Sequence, residues 1–209
     1  MDGVVAPGKS LRILGIDPGT HVCGWGVISR DGSRLVAEGF GVVKAPSSAP
    51  IEERLRVIAR GLREIVAAHR PDEASLEEVF YGRDVRAAVR IGEGRGAALV
   101  VLAEAGIPVT GYANNVVKRA VAGAGRAGKE SVRAMVKVAL GLATIDGPLD
   151  ASDALALAIC HHHQRSVPRA STGSSAGAAS PGRLAPRVQA ALDALRTKEK
   201  ARAPRRPRA

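Results

Sequence analysis

The chain has 209 residues, of which 45% are hydrophobic and only five are aromatic, and its formal net charge is +11. This length suits one domain with a substantial core, or one domain with a tail. It contains no run of 18 apolar residues that would span a membrane, and its first residues do not read as a secretory signal. Cys23 and Cys160 form neither a disulfide framework nor a metal-binding spacing, so a reducing cytoplasm is expected.

The positive charge is concentrated near the C-terminus. Residues 165–209 contain 11 Lys and Arg against two acidic residues, whereas residues 1–164 contain 20 basic and 18 acidic residues. The basic segment has the low-complexity composition of disordered chains. It is either a solvated extension or a flexible arm that adds salt-sensitive affinity for nucleic acid. We therefore predict an N-terminal extension (1–10), a folded body (11–164) and a basic, disordered tail.

Three strands open the body. The stretch LRILGID is mostly apolar and ends at Asp17, where Pro18-Gly19 forces a turn, and VCGWGVISR follows as a second strand. Asp31-Gly32 predicts a hairpin into a third strand, RLVAEGFGVVK. A carboxylate at the end of a buried strand suits either a turn that cradles nucleotide phosphates or a site that holds a divalent metal.

Helices and strands alternate after this hairpin. An apolar stripe predicts a helix over residues 51–69, and Arg70-Pro71 ends it. A fourth strand (EASLEEVF), a helix over 84–105 and a fifth strand (IPVTGY) follow, before two more helices near 130–142 and 151–164. This order predicts an α/β fold with a five-stranded mixed sheet flanked by helices, in which reactive groups collect at the carboxyl ends of parallel strands.

Acidic residues recur at places that such a fold could bring together. In the fourth strand, Glu77 and Glu78 point to opposite faces, so only one of them can face Asp17. Asp150 and Asp153 lie three residues apart on one face of the last helix. Several carboxylates in a small volume repel one another unless a cation neutralises them, and oxygen ligands suit Mg²⁺ or Mn²⁺.

Each of these signals also has a simpler explanation. Asp150 can cap the last helix, and Asp153 can complete its first turn. A single glutamate is typical of a surface, and Asp17-Pro18-Gly19 is typical of a turn. The metal-site interpretation depends on all three signals occurring in this order on these elements. Two metal ions about 4 Å apart would then support phosphodiester hydrolysis.

Four motifs, ILGIDPGT, LEEVF, VVKRAVAGAGRAGKESV and DASDALALAI, resemble in order and spacing those of the RuvC family of bacterial Holliday-junction resolvases. The resemblance spans residues 11–164. It implies a ribonuclease-H-like fold, a homodimer, and Mg²⁺-dependent nicking of four-way DNA junctions by two symmetric cuts in recombination and repair. It further implies a bacterial cytoplasmic, nucleoid-associated protein that works with a branch-migration complex of the RuvA/RuvB type.

The resemblance also assigns roles to the acidic residues. It makes Asp17, Glu77, Asp150 and Asp153 the ligands of two Mg²⁺ ions, for which Mn²⁺ can substitute. Glu78 falls at a position that need not be acidic.

Three further residues match family positions near the DNA. Lys118 and Lys129 match lysines close to the DNA and the scissile phosphate, and Lys129 would offset the charge that builds on that phosphate. Phe80 matches an aromatic residue that stacks on bases near the junction point, although core packing would explain it equally well.

Two other functional classes fit parts of the sequence. An ATPase or sugar kinase can begin with a similar GIDxGT motif, but it would need a second phosphate loop and a second lobe. A non-catalytic or differently specific nucleic-acid-binding protein of the same fold is the other alternative; loss of one or more acids would support the non-catalytic form, and all four are present. The consecutive His161, His162 and His163 diverge around their helix and cannot all reach one ion, so we interpret them as structural.

Overall fold

The computed structural model describes residues 10–78, 85–145 and 147–165. The chain divides into two units, Met1–Pro168 and Arg169–Ala209, and every described residue belongs to the first. Phe80 and nearly all of the predicted extension and tail lie outside the described residues. The three-part division of the chain therefore stays a prediction.

Five strands form one mixed sheet: β1 (Ile13–Asp17), β2 (Val22–Asp31), β3 (Arg34–Lys44), β4 (Glu73–Glu77) and β5 (Val109–Tyr112). Their order across the sheet is β3-β2-β1-β4-β5. The first three strands are antiparallel neighbours, whereas β4 and β5 run parallel to β1. The predicted mixed sheet is confirmed, although β4 ends at Glu77, before the predicted end at residue 80.

Helices cover both faces of the sheet. One face carries α1 (Ile51–His69) and α2 (Val85–Glu104), and the other carries α3 (Asn114–Ala122), α4 (Lys129–Leu140) and α5 (Leu149–Arg165). Two apolar cores separate these layers from the sheet. None of the helices in the described ranges is long and apolar enough to cross a membrane.

The α3 helix is absent from the sequence-based prediction. It has only nine residues, it includes three β-branched valines, and no side chain caps its N-terminus. Such a segment has weak intrinsic helix propensity. It is stabilised by burying Val117 and Val121 in the core beneath α5, which local sequence does not reveal.

Glycines set the distance between α5 and the sheet. A Cβ atom on Gly15 of β1 would collide with the backbone of Ala154, and one on Gly24 of β2 would collide with the backbone of Asp150. Helix α5 therefore lies directly on the backbones of the two strands. This contact fixes how far along the sheet the helix begins.

Both cysteines are buried and free. This agrees with the expectation that Cys23 and Cys160 contribute no disulfide framework. Burial is the main reason that the pKa of the Cys23 thiol rises to about 12, so it is a poor source of reactive thiolate.

Candidate active site

Asp17 is the last residue of β1, and its side chain lies on the α5 side of the sheet. Along β1 the side chains alternate, so Leu14 and Ile16 enter the core beneath α1 and α2 while Gly15 contacts α5. Asp17 has the same parity as Gly15 and is partly buried. The turn at Pro18-Gly19 ends the strand, which leaves the carboxylate at the sheet edge.

The start of α5 brings a second carboxylate to this edge. Gly24 is the cross-strand partner of Asp17, and the backbone of Asp150 lies against Gly24. Asp150 is thus held beside Asp17 by the glycine contact. Asp153 lies one turn further along the same helix face, where it is partly buried.

Glu77 reaches the same side of the sheet because it ends β4, which pairs in parallel with β1. Ala74 and Leu76 point into the core beneath α1 and α2, so Glu77 points the other way. Glu78 is exposed and lies close to Gly111. Strand alternation alone does not show whether Glu77 or Glu78 faces Asp17. The structure places Glu77 beside Asp17.

These side chains surround one pocket of about 160 Å³. Its lining includes three carboxylates and two amino groups, those of Asp17, Glu77, Asp153, Lys118 and Lys129. The fourth predicted acid, Asp150, lies close enough to raise the pKa of Asp17. Every predicted charged site residue is therefore at or next to this pocket.

The pocket carries more negative charge than its lysines balance. Burial, followed by repulsion from Glu77, Asp153 and Asp150, raises the pKa of Asp17 from 3.8 to about 7, against a small opposing effect of Lys129. Burial is also the largest cause of the raised pKa of Asp153. The Lys129 amino group opposes that shift from 3.8 Å away, measured from Nζ to Asp153 Oδ2.

The donor set fits a hard divalent cation. All four acidic side chains offer carboxylate oxygens, the ligands that Mg²⁺ and Mn²⁺ prefer. In the part of the chain that the structure describes, no three His, Cys, Asp or Glu side chains lie close enough together to hold a metal ion. Carboxylates that repel one another are expected to stand apart until a cation draws them together.

Comparison with known proteins identifies the family. The family model for "Crossover junction endodeoxyribonuclease RuvC" matches residues 13–161. The RuvC of Chloroflexus aggregans is 50% identical over 151 residues, which cover 72% of this chain and 92% of that protein. The chain belongs to the RuvC family. The RuvC of Dehalococcoides mccartyi is 44% identical over 155 residues, which cover 74% of this chain and 93% of that protein.

Solved structures share the fold. The structure titled "T. thermophilus RuvC in complex with Holliday junction substrate" has a TM-score of 0.70 and 36% identity, and covers 74% of this chain and 94% of that chain. The yeast mitochondrial Holliday junction resolvase Ydc2 has a TM-score of 0.51 at 12% identity, covering 72% and 78%, and shows the fold alone. The ribonuclease-H-like fold, the RuvC family and the class of metal-dependent endodeoxyribonuclease are thus confirmed.

Two polar residues that the sequence analysis did not select hold Glu77 of this RuvC chain. The Asn114 side-chain amide donates a hydrogen bond from Nδ2 to Glu77 Oε1 at 2.7 Å, and the Arg95 guanidinium donates to the Glu77 backbone carbonyl at 3.0 Å. These contacts join residues 37 and 18 positions apart. No local pattern could have revealed them, and Asn114 opens the helix that was not predicted.

His161 belongs to a network at the other end of α5. It is buried, with Nε2 2.8 Å from Glu73 Oε2 and Nδ1 2.8 Å from the Tyr112 hydroxyl. Arg165 lies 2.8 Å from the same Glu73 carboxylate. The network joins α5 to β4 and β5, which agrees with a structural interpretation of this histidine.

Proposed function

We propose that the chain resolves four-way (Holliday) DNA junctions by hydrolysing two phosphodiester bonds at symmetric positions, in DNA recombination and repair. Its RuvC family membership and the Holliday-junction complex of its T. thermophilus relative support this function. The observation that carries the proposal is the crowding of Glu77, Asp150 and Asp153 around the partly buried Asp17; burial, and then repulsion from these carboxylates, raises the pKa of Asp17 to about 7. Such crowding costs stability in the protein alone and becomes favourable when a divalent cation binds.

Asp17, Glu77, Asp150 and Asp153 are the proposed metal ligands. They supply only oxygen donors, which favours Mg²⁺, with Mn²⁺ as a substitute, and the number of carboxylates suits two ions. Two ions held by these residues would supply a lowered pKa for the attacking water and charge stabilisation of the leaving 3′ oxygen. The side chains, which come from β1, β4 and α5, would hold the ions beside the scissile phosphate.

The two lysines bind and orient the phosphate in this proposal. Lys118 of α3 and Lys129 of α4 both line the pocket. The amino group of Lys129 is exposed and 3.8 Å from Asp153, so it can turn towards an incoming phosphate and offset its charge. Phe80 is proposed to stack on bases near the junction point, as its family position implies.

A homodimer is proposed because two strands must be cut. Helix α2 carries the exposed side chains of Val89 and Val100 on one face, with Gly96 between them. A Cβ atom on Gly96 would meet nothing within 4 Å, so a second copy of the helix could approach closely there. Sedimentation of the wild type and of Val100→Glu tests this surface, and a variant that stays dimeric would exclude it. A branch-migration complex of the RuvA/RuvB type is the further proposed partner.

The decisive experiment for the function is cleavage of a synthetic four-way junction in Mg²⁺ with each strand labelled in turn. We expect paired nicks at symmetric positions on two opposing strands, with ends that a ligase can reseal. A linear duplex of the same sequence should be cut far more slowly. Equal cutting of both substrates would indicate a general nuclease and overturn the proposal.

A further inference from the structure

We propose that Asn114 is a positioning residue for Glu77. Its amide holds one carboxylate oxygen of Glu77 in place before the cation arrives, which leaves the second oxygen available for the metal. This inference deepens the proposed function, because it depends on the role of Glu77 as a metal ligand. Nothing in the family motifs of this chain selects Asn114, which lies four residues before the matched Lys118.

The fold delivers Asn114 to this position through strand pairing. Glu77 at the end of β4 is in register with Tyr112 at the end of β5. The next residue, Ala113, has an extended backbone, and Asn114 after it is the first residue of α3. The amide therefore reaches across the sheet edge to Glu77 Oε1 at 2.7 Å, and Asn114 lines the same pocket as Asp17 and Asp153.

The chemistry of the amide suits this task better than a charged donor would. Glutamate has a long side chain, and ordering it at the moment of metal binding costs conformational entropy. A hydrogen bond made in advance removes part of that cost. Because the amide is neutral, it orients the carboxylate without cancelling the negative charge that attracts the cation. A lysine at the same position would form an ion pair that competes with the metal.

Arg95 fixes the other end of the same residue. Its guanidinium donates a hydrogen bond to the Glu77 backbone carbonyl at 3.0 Å and is partly buried. The main chain of Glu77 is thus held from α2, and its carboxylate is held from α3. Of these two donors, Asn114 is the one that contacts the oxygen atoms that would bind metal, so its loss should change metal affinity.

The test is a titration of the folded, DNA-free protein with Mn²⁺. The electron paramagnetic resonance signal of the free ion measures how much Mn²⁺ is bound. We expect Asn114→Ala to raise the Mn²⁺ concentration at half-saturation about tenfold, the low end for loss of a residue that orients a metal ligand. The Mg²⁺ concentration for half-maximal junction cleavage should rise by the same factor. The cleavage rate at saturating Mg²⁺ should change by less than about threefold, because the metal then orders Glu77 itself.

Three further variants make the result interpretable. Asn115→Ala removes the neighbouring exposed asparagine and should bind Mn²⁺ as the wild type does. Asn114→Leu, which keeps the size of the side chain but not its donor, should repeat the effect of Asn114→Ala. In Glu77→Ala, Mn²⁺ affinity should fall, and adding Asn114→Ala should cause no further loss. Circular dichroism of each variant confirms that it is folded.

The outcomes separate the two hypotheses. If Glu77→Ala weakens Mn²⁺ binding but Asn114→Ala and Asn114→Leu bind as the wild type does, the positioning inference is wrong and the metal site stands. If Glu77→Ala also binds Mn²⁺ as the wild type does, Glu77 is not a ligand and the proposed metal site itself is wrong. An equal additional loss from Asn114→Ala in the Glu77→Ala protein would show that Asn114 acts without Glu77.

Discussion

The two ends of β4 carry the same side chain in opposite electrostatic settings. Glu73, the first residue of the strand, lies 2.8 Å from both His161 Nε2 and Arg165 Nε. Glu77, the last residue, has the same parity and faces the same helix, but its side-chain donor is the neutral amide of Asn114. Repulsion from Glu77 also raises the pKa of Asp17.

Helix α5 repeats this contrast. Its first turn carries Asp150 and its last turn carries Arg165, with His161 just before that turn, and the helix dipole favours an acid at the N-terminus and a base at the C-terminus. At the C-terminal end the basic groups meet an acid, whereas at the N-terminal end Asp150 meets Asp17. Glu73, which joins β4 to α5, has a cation supplied by the protein, the guanidinium of Arg165. The carboxylates of the proposed metal site have a charge that must be balanced from outside.

The substitution Asp17→Asn is expected to have the largest effect on the proposed metal site. The substitution keeps the shape of the side chain and removes the charge at the centre of the carboxylate group. We expect junction cleavage in Mg²⁺ to fall at least about 10³-fold, equivalent to about 4 kcal/mol in the barrier. Junction binding, measured by gel shift, should remain within a few-fold of the wild type. A variant that cuts as fast as the wild type would remove Asp17 from the metal site.

The pH dependence of stability gives the next largest effect. Without metal, the folded state binds the Asp17 proton more tightly than the unfolded state, since its pKa is about 7 instead of 3.8. The wild type should therefore lose free energy of unfolding as pH rises from about 4 to 7, by about 2–4 kcal/mol relative to Asp17→Asn. The loss is complete above that range.

Urea unfolding of both proteins at pH 5 and pH 8, in the presence of a chelator, measures this difference. Added Mg²⁺ at pH 8 should stabilise the wild type more than the variant. A stability difference that is the same at both pH values would show that the Asp17 carboxylate is not destabilised by its surroundings.

Glu73→Gln and Glu77→Gln form a matched pair at the two ends of β4. Glu73→Gln leaves His161 and Arg165 without their carboxylate, so the free energy of unfolding should fall by about 1–3 kcal/mol. Its cleavage rate below the unfolding transition should be unchanged. Glu77→Gln should show the reverse pattern, with cleavage lost and stability retained. Identical behaviour of the two variants would contradict the division between structural and metal-binding acids.

The smallest expected effect is on the salt dependence of DNA binding, after removal of the basic residues beyond Arg165. A chain truncated after Arg165 keeps the ion pair with Glu73 and loses ten Lys and Arg residues. It should cut junctions at the wild-type rate at low salt. If the segment contacts DNA, the slope of log affinity against log salt should become shallower by about 1–3. An unchanged slope would mean that the segment contributes nothing to DNA binding.

Much of the fold is readable from local patterns. In the described part of the chain, apolar runs, turn residues and helical stripes predict all five strands and four of the five helices, because these signals come from neighbours in the chain. The sequence also shows which acidic residues are candidates for the site. Asp17 ends a strand, and Asp150 opens a helix, so both positions could be named as candidates before any packing was known.

Tertiary packing supplies the rest, for identifiable physical reasons. Strand alternation shows that Glu77 and Glu78 diverge, but only the core formed by Ala74 and Leu76 determines which one faces α5. Contact between the Gly24 and Asp150 backbones brings together acids that are 133 positions apart. Asn114 reaches Glu77 only because burial stabilises a helix with weak intrinsic propensity. Local sequence thus provides the chemical groups, and close packing between distant elements makes them a site.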